Sequence, residues 1–292
     1  MTDTLSQFSV LSLYSAMAIY AIAFVLFTID LAGKATEGKI SSKFQRIAMS
    51  LTWLAFLLQL AATIMRGIAA SRVPWANMYE FAMTGTLIIT GVFLFANLKW
   101  NLRFVGTFST GLTLVLLGLA ATRYYVEVVP LPPALQSYWL VIHVFVATLA
   151  TGFFSLGFSL SFLQLLQQRR ETAIHDGKKT RLTGLVKLPD AVALENYAYR
   201  LIIIGFIFWT FTLIAGAIWA EKAWGRYWGW DTKEVWTFII WTIYAGYIHA
   251  RATRGWRGTR SAVLAMIGFG AVMFNFTVVN IFFKGLHAYS GL

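Results

Sequence analysis

The sequence contains no cysteine, so the chain itself supplies no disulfide, thiolate metal ligand or thiol redox chemistry. Charged residues are also scarce. They make up 12% of the 292 residues, whereas hydrophobic residues make up 58%. An average soluble domain has about 25% charged residues, so this chain cannot cover an ordinary water-facing surface. The composition indicates an integral membrane protein, and any sulfur chemistry must come from a partner or substrate.

Apolar segments long enough to cross a membrane recur along the chain, because a spanning helix needs about 20 mostly apolar residues. No basic residue precedes the first segment, and no small-residue cleavage site follows it, so we expect that helix to be retained. The sequence predicts an all-α polytopic bundle of about eight transmembrane helices. The predicted segments are Leu11–Ala32, Ile47–Ala69, Tyr79–Leu98, Val105–Ala121, Tyr138–Leu166, Leu201–Ala220, Val235–Ala250 and Ala262–Phe283.

Lysine and arginine are concentrated in alternate loops, with 17 of the 24 in one set and seven in the other. Basic loops stay on the cytoplasmic side, so both termini are expected on the extracytoplasmic side of a plasma (cytoplasmic) membrane. The net charge of +12 does not indicate nucleic-acid binding, because the basic residues fall in short runs between apolar segments. The expected contacts are membrane lipids. The seven outer residues are Arg66, Arg72, Arg123, Lys222, Arg226, Lys233 and Lys284.

One long polar segment, residues 167–200, is predicted to be a solvated cytoplasmic loop. Residues 1–71 form the first two transmembrane helices in this scheme, and residues 72–289 form a second unit. Asp30 lies inside the first helix, near its cytoplasmic end, with no partner that the sequence identifies.

The four histidines fall at different predicted heights. His143 lies about one turn inside the outer end of the fifth helix, and His287 follows the eighth helix in the outer tail. His249 is at the cytoplasmic end of the seventh helix, and His175 is in the cytoplasmic loop. A single membrane histidine is usually bonded to a neighbouring helix, and a tail histidine is usually solvated. Two histidines on the same side of the membrane could also bind one metal ion as a pair.

Five tryptophans and a tyrosine occur within the eighteen residues 219–236, between the sixth and seventh helices. An aromatic belt at the membrane interface would explain two or three of them. The interleaved glycines and charges favour a platform for a large flat ligand. A heme stacked on indoles, with His143 and His287 as axial iron ligands, fits this description. The platform candidates are Trp219, Trp224, Tyr227, Trp228 and Trp230.

The segment from Trp224 to Glu234 resembles the tryptophan-rich "WWD" signature of heme-handling proteins, specifically the CcsA or ResC type of cytochrome c synthase known as System II. Shorter matches lie at Asn77–Phe81, Trp139–Val144, Tyr247–Gly258 and Gly285–Tyr289. The resemblance covers about residues 72–289 and identifies this unit as a cytochrome c assembly (heme-handling, WWD) domain. It adds Asp231 to the expected heme-binding residues.

The resemblance implies an activity at the outer membrane face. Heme b is moved or presented there, and its vinyl groups are joined as thioethers to the CxxCH cysteines of apocytochrome c. His143 and His287 would be the catalytic axial ligands, and His249 a transient ligand near the cytoplasmic side. A second inner imidazole would come from a ResB-like membrane partner, so the cytochrome c heme lyase (synthase) activity is expected of a complex.

Several assignments remain open. A heme exporter or carrier without ligation activity has the same features, and a structural or quinone-linked electron-transfer subunit is a further alternative. The histidines lie near opposite membrane surfaces, which disfavours the electron-transfer subunit, because membrane b-type cytochromes usually place their histidine ligands on facing helices within the bilayer. Thr232 replaces a proline common in the family, so a shifted loop is expected. Asp231 and Glu234 are expected to cap the seventh helix. Heme propionates or lipid phosphates are the alternative partners of the outer basic residues Lys222, Arg226 and Lys233.

Overall fold

The chain folds as an all-α bundle. The computed structural model describes residues 2–33, 43–128, 131, 135–180, 182–283 and 285–286, and these contain helices and turns without strands. Consecutive long helices run antiparallel, as expected for a polytopic membrane protein. They are α1 (Thr2–Ala32), α2 (Lys43–Ala70), α3 (Met78–Lys99), α4 (Gly106–Arg123), α5 (Tyr138–His175), α6 (Ala191–Trp224), α7 (Thr232–Thr253) and α8 (Thr259–Phe274).

Short irregular elements modify this pattern. Turns of 3-10 helix occupy Arg103–Val105 and Thr183–Lys187. At its end, α8 passes into a π-helical turn, Asn275–Val279, and then a last α-helical turn, Asn280–Phe282. Because π turns inside α-helices occur frequently at functional sites, this part of α8 is of particular interest.

Seven of these helices are long and apolar enough to cross a membrane by length and composition, with a mean hydropathy of 1.8 to 2.4. They are α1 to α6 and the segment Thr259–Phe282. α7 is not among them, because tryptophan, threonine and tyrosine interrupt its apolar sequence. At about 1.5 Å per residue, its 22 residues still extend along the bundle beside α6 and α8. The all-α membrane fold is confirmed, whereas the side of the membrane on which each terminus lies stays a prediction.

Polar side chains define where four of the helices begin. Asn77 accepts a hydrogen bond from the Glu80 amide at 2.9 Å at the start of α3. Ser137 and Asp190 cap α5 and α6 in the same way. Asp231 begins α7 in a reciprocal capping box with Glu234, which confirms the capping role expected for both residues. Each cap satisfies amides that have no partner within the helix.

The segment predicted to be a solvated cytoplasmic loop, residues 167–200, is helical at both ends, whereas its solvation and its side of the membrane stay predictions. α5 continues to His175 and α6 begins at Ala191. Gln167 is buried and donates to the Pro189 carbonyl at 3.2 Å, and Glu171 accepts from the Ala191 amide at 3.1 Å. Glutamine, arginine and glutamate are good helix formers, so the helices extend past the apolar segments that mark the membrane.

Two basic residues counted among the loop charges are buried in ion pairs. Arg66 is 0% exposed, and its Nε lies 3.0 Å from Glu80, which also contacts Arg72 at 2.5 Å. Arg251 contacts Glu195 at 2.8 Å at the opposite end of the bundle. Breaking such a buried pair leaves an uncompensated charge, so these pairs constrain how the helix ends meet.

Asp30, for which the sequence identified no partner, lies beside two polar side chains. The Gln45 amide donates to its carboxylate at 3.3 Å. The Lys187 ammonium is 3.9 Å from the same carboxylate and bonds the Asp30 backbone carbonyl at 2.9 Å. These contacts join the end of α1 to the 3-10 turn before α6.

Aromatic packing holds α5 to α8 together. The Phe154 ring of α5 stacks on Tyr244 of α7 with 3.8 Å between centroids and 6° between planes. Trp209 of α6 donates from Nε1 to the Thr237 carbonyl at 3.1 Å. Gly268 of α8 lies against the Tyr244 ring, where a Cβ would come within 2.7 Å. This packing brings the helices that surround the cavity described below into fixed contact.

Candidate functional site

A large cavity opens at the end of the bundle that carries residues 219–236, here called the Trp-loop end. Its free volume, counted out to its open mouth, is about 1560 Å³. Helices α3 to α8 contribute to the wall, which is mostly apolar and aromatic. Among the lining residues are Trp75, Met78, Phe81, Leu140, Val144, Trp209, Leu213, Val272 and Phe276.

His143 lines this cavity from the second turn of α5. Its Nδ1 lies 3.0 Å from the Thr212 carbonyl of α6. A carbonyl only accepts, so Nδ1 carries the proton, and in the neutral ring Nε2 bears the lone pair suited to a metal. The ring also stacks on Trp219 with 5.8 Å between centroids and 21° between planes. This arrangement fixes both the tautomer and the orientation of the imidazole.

Gly216 makes the position of the His143 ring possible. A Cβ at this residue would lie 2.8 Å from both Cε1 and Nδ1 of the imidazole, closer than ordinary van der Waals contact. Gly216 is one helical turn after Thr212 and also lines the cavity. α6 therefore positions His143 in two ways: the Thr212 carbonyl bonds the ring, and Gly216 leaves room for it.

The structure brings only some of the predicted platform residues to the cavity. Trp219, Tyr227 and Trp228 line it. Trp224 packs on Trp219 with 4.8 Å between ring centroids, outside the lining formed by described residues. Trp230 is 77% exposed and also lies outside that lining. The aromatic loop is thus divided between the cavity wall, its support and the exposed surface.

Glu234 organises the turn between α6 and α7. One of its oxygens accepts from the amides of Gly229 at 2.8 Å and Asp231 at 3.1 Å. The other lies 3.6 Å from the Arg226 guanidinium, against which Gly229 packs too closely to admit a Cβ. Trp230 has a φ of 59°, a left-handed conformation that non-glycine residues adopt rarely. A network of contacts within the loop therefore maintains an unfavourable backbone conformation.

Asp231 joins the start of α7 to the tail that follows α8. Its Oδ1 accepts from the Lys233 amide at 2.9 Å, and its Oδ2 accepts from the Leu286 amide at 3.0 Å. A Cβ at Gly285 would overlap that carboxylate. Asp231 lines a smaller adjacent cleft, not the main cavity. His287, the next residue of the tail, lies outside the described residues, so its convergence with His143 stays a prediction.

His249 lies near the end of α7 that is remote from the cavity. Its side chain is exposed, on the same outward face as Phe238, Thr242 and Gly246. His143 and His249 are thus at opposite ends of the bundle, as the sequence predicted. His175 is 92% exposed and 3.7 Å from Asp176.

The end of α8 adds polar groups that the sequence analysis missed. Asn275 and Asn280 line the cavity, together with Lys233 from α7. The Lys233 ammonium bonds the Asn280 side-chain oxygen, and it lies 3.4 Å from the Asn275 carbonyl. Two asparagines within an apolar spanning segment were the available signal, because polar residues in such helices usually have a function.

Comparisons with known proteins identify the family. The sequence model for "Cytochrome C assembly protein" matches residues 73–287. The chain is 34% identical over 252 residues to the cytochrome c biogenesis protein CcsA of Trieres chinensis, covering 78% of this chain and 81% of that protein. It is 31% identical over 297 residues to CcsA of Prochlorococcus marinus (strain NATL2A), covering 94% of this chain and 93% of that protein.

A solved structure has the same fold. The chain aligns with the cytochrome c heme lyase CcmF with a TM-score of 0.68 and 19% sequence identity, over 93% of this chain and 46% of that one. At this identity the likeness concerns the fold alone. The family match and the CcsA relatives carry the assignment: the chain belongs to the cytochrome c assembly family, as a multi-pass membrane protein of the CcsA type with a role in cytochrome c biogenesis.

Proposed function

We propose that this chain is the heme-handling subunit of a cytochrome c synthase, and that heme b is presented in the cavity at the Trp-loop end. The observation that carries the proposal is the placement of His143. An imidazole with a fixed tautomer lines a large, mostly apolar cavity and stacks on Trp219. Iron ligation by a neutral imidazole, inside an apolar and aromatic wall, is how proteins commonly hold heme.

The second axial ligand is His287 in this proposal. The contact of Asp231 with Leu286 supports it, because the tail is tied to the Trp-rich loop one residue before His287. Trp219, Tyr227 and Trp228 would contact the heme, whereas Trp224 supports Trp219 from behind. Trp230 and Asp231 act through the loop, and not by contact inside the cavity.

The chemistry at this site is an addition. Each cysteine S–H of the CxxCH motif adds across a heme vinyl group, so that one S–C and one C–H bond form and no net oxidation occurs. The cavity contributes by holding the vinyl groups in place, because orientation alone accounts for a large share of such rates. The histidine of CxxCH would then replace one protein ligand and favour release of the product.

The inner half of the pathway requires a partner. His249 is exposed near the other end of α7, where the bundle meets lipid or another protein. A ResB-like membrane protein that contributes a second imidazole there would complete a transient site. The extracytoplasmic orientation of the cavity, the plasma membrane location and this complex all belong to the proposal.

An optical spectrum of the purified complex tests the heme site. The chain would be isolated with its partner as wild type and as His143→Ala, with His175→Ala as the matched control. His175 is an exposed histidine remote from the cavity. We expect bound heme in wild type and in the control, and shifted bands or loss of heme in His143→Ala. An unchanged spectrum in His143→Ala would reject the ligand assignment.

Addition of apocytochrome c separates the synthase from an exporter. Product with thioethers that survive denaturation is expected from the wild-type complex and is expected to be reduced in His143→Ala. If the complex binds heme but forms no thioether product, the chain still presents heme, and its function is that of a heme carrier and not of a synthase.

A further inference from the structure

The cavity has a cationic group on a wall that is otherwise mostly apolar. Among the described lining residues, the one lysine is Lys233 and the acidic residue beside it is Glu234. The Lys233 ammonium contacts the Asn275 carbonyl and the Asn280 side-chain oxygen, both of which are neutral acceptors. None of the ion pairs found among the described residues includes Lys233. The Lys233 amine is therefore held in place by neutral acceptors and not by an ion pair.

Glu234 does not neutralise it, although it is the next residue. Its carboxylate accepts from two amides of the Trp-rich loop and lies beside Arg226. Asp231 is directed to the Lys233 backbone amide and to the tail. The two nearby carboxylates thus bond the loop and the first turn of α7. The Lys233 ammonium faces the cavity wall formed by the end of α8.

We propose that Lys233 binds a carboxylate of the cavity's ligand, which under the proposed function is a propionate of heme. A cation removed from bulk water is stabilised by an opposite charge. The ligand of a mostly apolar cavity with one such cation is therefore an amphiphilic acid. An ammonium already held by two neutral acceptors retains a third N–H to donate, and a carboxylate forms a strong, charge-assisted bond with it.

The other two basic residues within residues 219–236, Lys222 and Arg226, have other contacts. Lys222 is 59% exposed and lies 3.1 Å from Glu221, outside the lining formed by described residues. Arg226 packs on Gly229 and lies beside Glu234. Neither geometry directs a cation into the cavity, so the structure assigns this role to Lys233 alone of the three.

This contact would orient the ligand. The propionates and vinyl groups of heme lie on different edges of the ring. A propionate held at the junction of α7 and the π-helical turn therefore turns the vinyl edge away from Lys233. The π-helical turn contributes by bringing both the Asn275 carbonyl and the Asn280 side chain into contact with the ammonium.

Heme and its dimethyl ester, which lacks the two carboxylates, provide the test. Both would be titrated into the complex of the full chain with its partner, for wild type, Lys233→Met, Lys233→Arg and the control Lys222→Met. We expect wild type to bind heme about tenfold more tightly than the ester. Lys233→Met should lose that preference by weakening heme binding while leaving ester binding unchanged, and Lys233→Arg should retain part of it.

The control should behave as wild type, because Lys222→Met removes the same charge from the exposed surface at the same end. Two results would overturn the proposal while leaving the heme site intact: equal affinity of wild type for heme and ester, or equal weakening of both ligands by Lys233→Met. If wild type binds neither ligand, the proposed function fails, and this inference fails with it.

Discussion

Replacing Gly216 by alanine would disturb the support of the His143 ring without altering the ring itself. The added Cβ would lie 2.8 Å from Cε1 and Nδ1, whereas carbon atoms in contact are about 3.5–4.0 Å apart. The imidazole must therefore move by roughly 1 Å, which stretches its 3.0 Å contact with the Thr212 carbonyl beyond hydrogen-bonding distance. Loss of such a supporting contact typically lowers metal affinity about 10- to 100-fold.

The assay is a heme titration of the purified complex, read from the absorption bands, with thermal unfolding measured in parallel. Gly118→Ala is the matched control, because a Cβ there has no atom within 4 Å. The control should bind heme as wild type does, whereas Gly216→Ala should bind about 1.4 to 2.8 kcal/mol more weakly. Wild-type affinity and bands in Gly216→Ala would show that the observed ring position is not the one that binds heme.

Two further substitutions test contacts around the cavity. Asp231→Asn retains one acceptor oxygen, so the side chain cannot accept from both the Lys233 and the Leu286 amides. We expect a lower yield of thioether product. The unfolding temperature should change little, because asparagine caps helices as well as aspartate does. A yield equal to wild type would reject the tail contact. Glu80→Ala leaves Arg66 buried without its carboxylate and should cost about 3–5 kcal/mol of folding free energy, measured by thermal or denaturant unfolding. A loss below about 1 kcal/mol would show that water or the adjacent carbonyl compensates.

Hydropathy predicted the number and order of the long helices, but not their ends. The length of α5 was missed because its last turns consist of polar residues that favour helix and extend beyond the apolar span. The ion pairs were missed for a different reason. Arg66 and Glu80 are 14 positions apart, and Glu195 and Arg251 are 56 apart. Local composition does not detect pairing between residues so far apart in the sequence.

The sequence indicated the residue types that line the cavity, histidine and tryptophan, but not which of the tryptophans face it. His143 and Trp219 line the cavity, as expected for a ligand and its aromatic contact. Trp230 does not, because a left-handed backbone conformation directs it to the exposed surface. Trp236 packs on Phe274 with 4.4 Å between ring centroids. Loop conformation and helix phase decide which tryptophans face a ligand, and neither follows from their spacing in the sequence.

The π-helical turn Asn275–Val279 makes the last spanning segment sensitive to residue count. A π turn holds about one residue more than an α turn, and each residue of an α-helix advances the chain by about 100° around the axis. An uninterrupted α-helix would therefore place Asn280 about a quarter turn away from the Lys233 ammonium that it contacts. Deleting one residue from this turn would rotate everything that follows, including the segment that reaches Asp231. Relatives of this chain should thus tolerate substitutions at the end of this helix better than insertions or deletions.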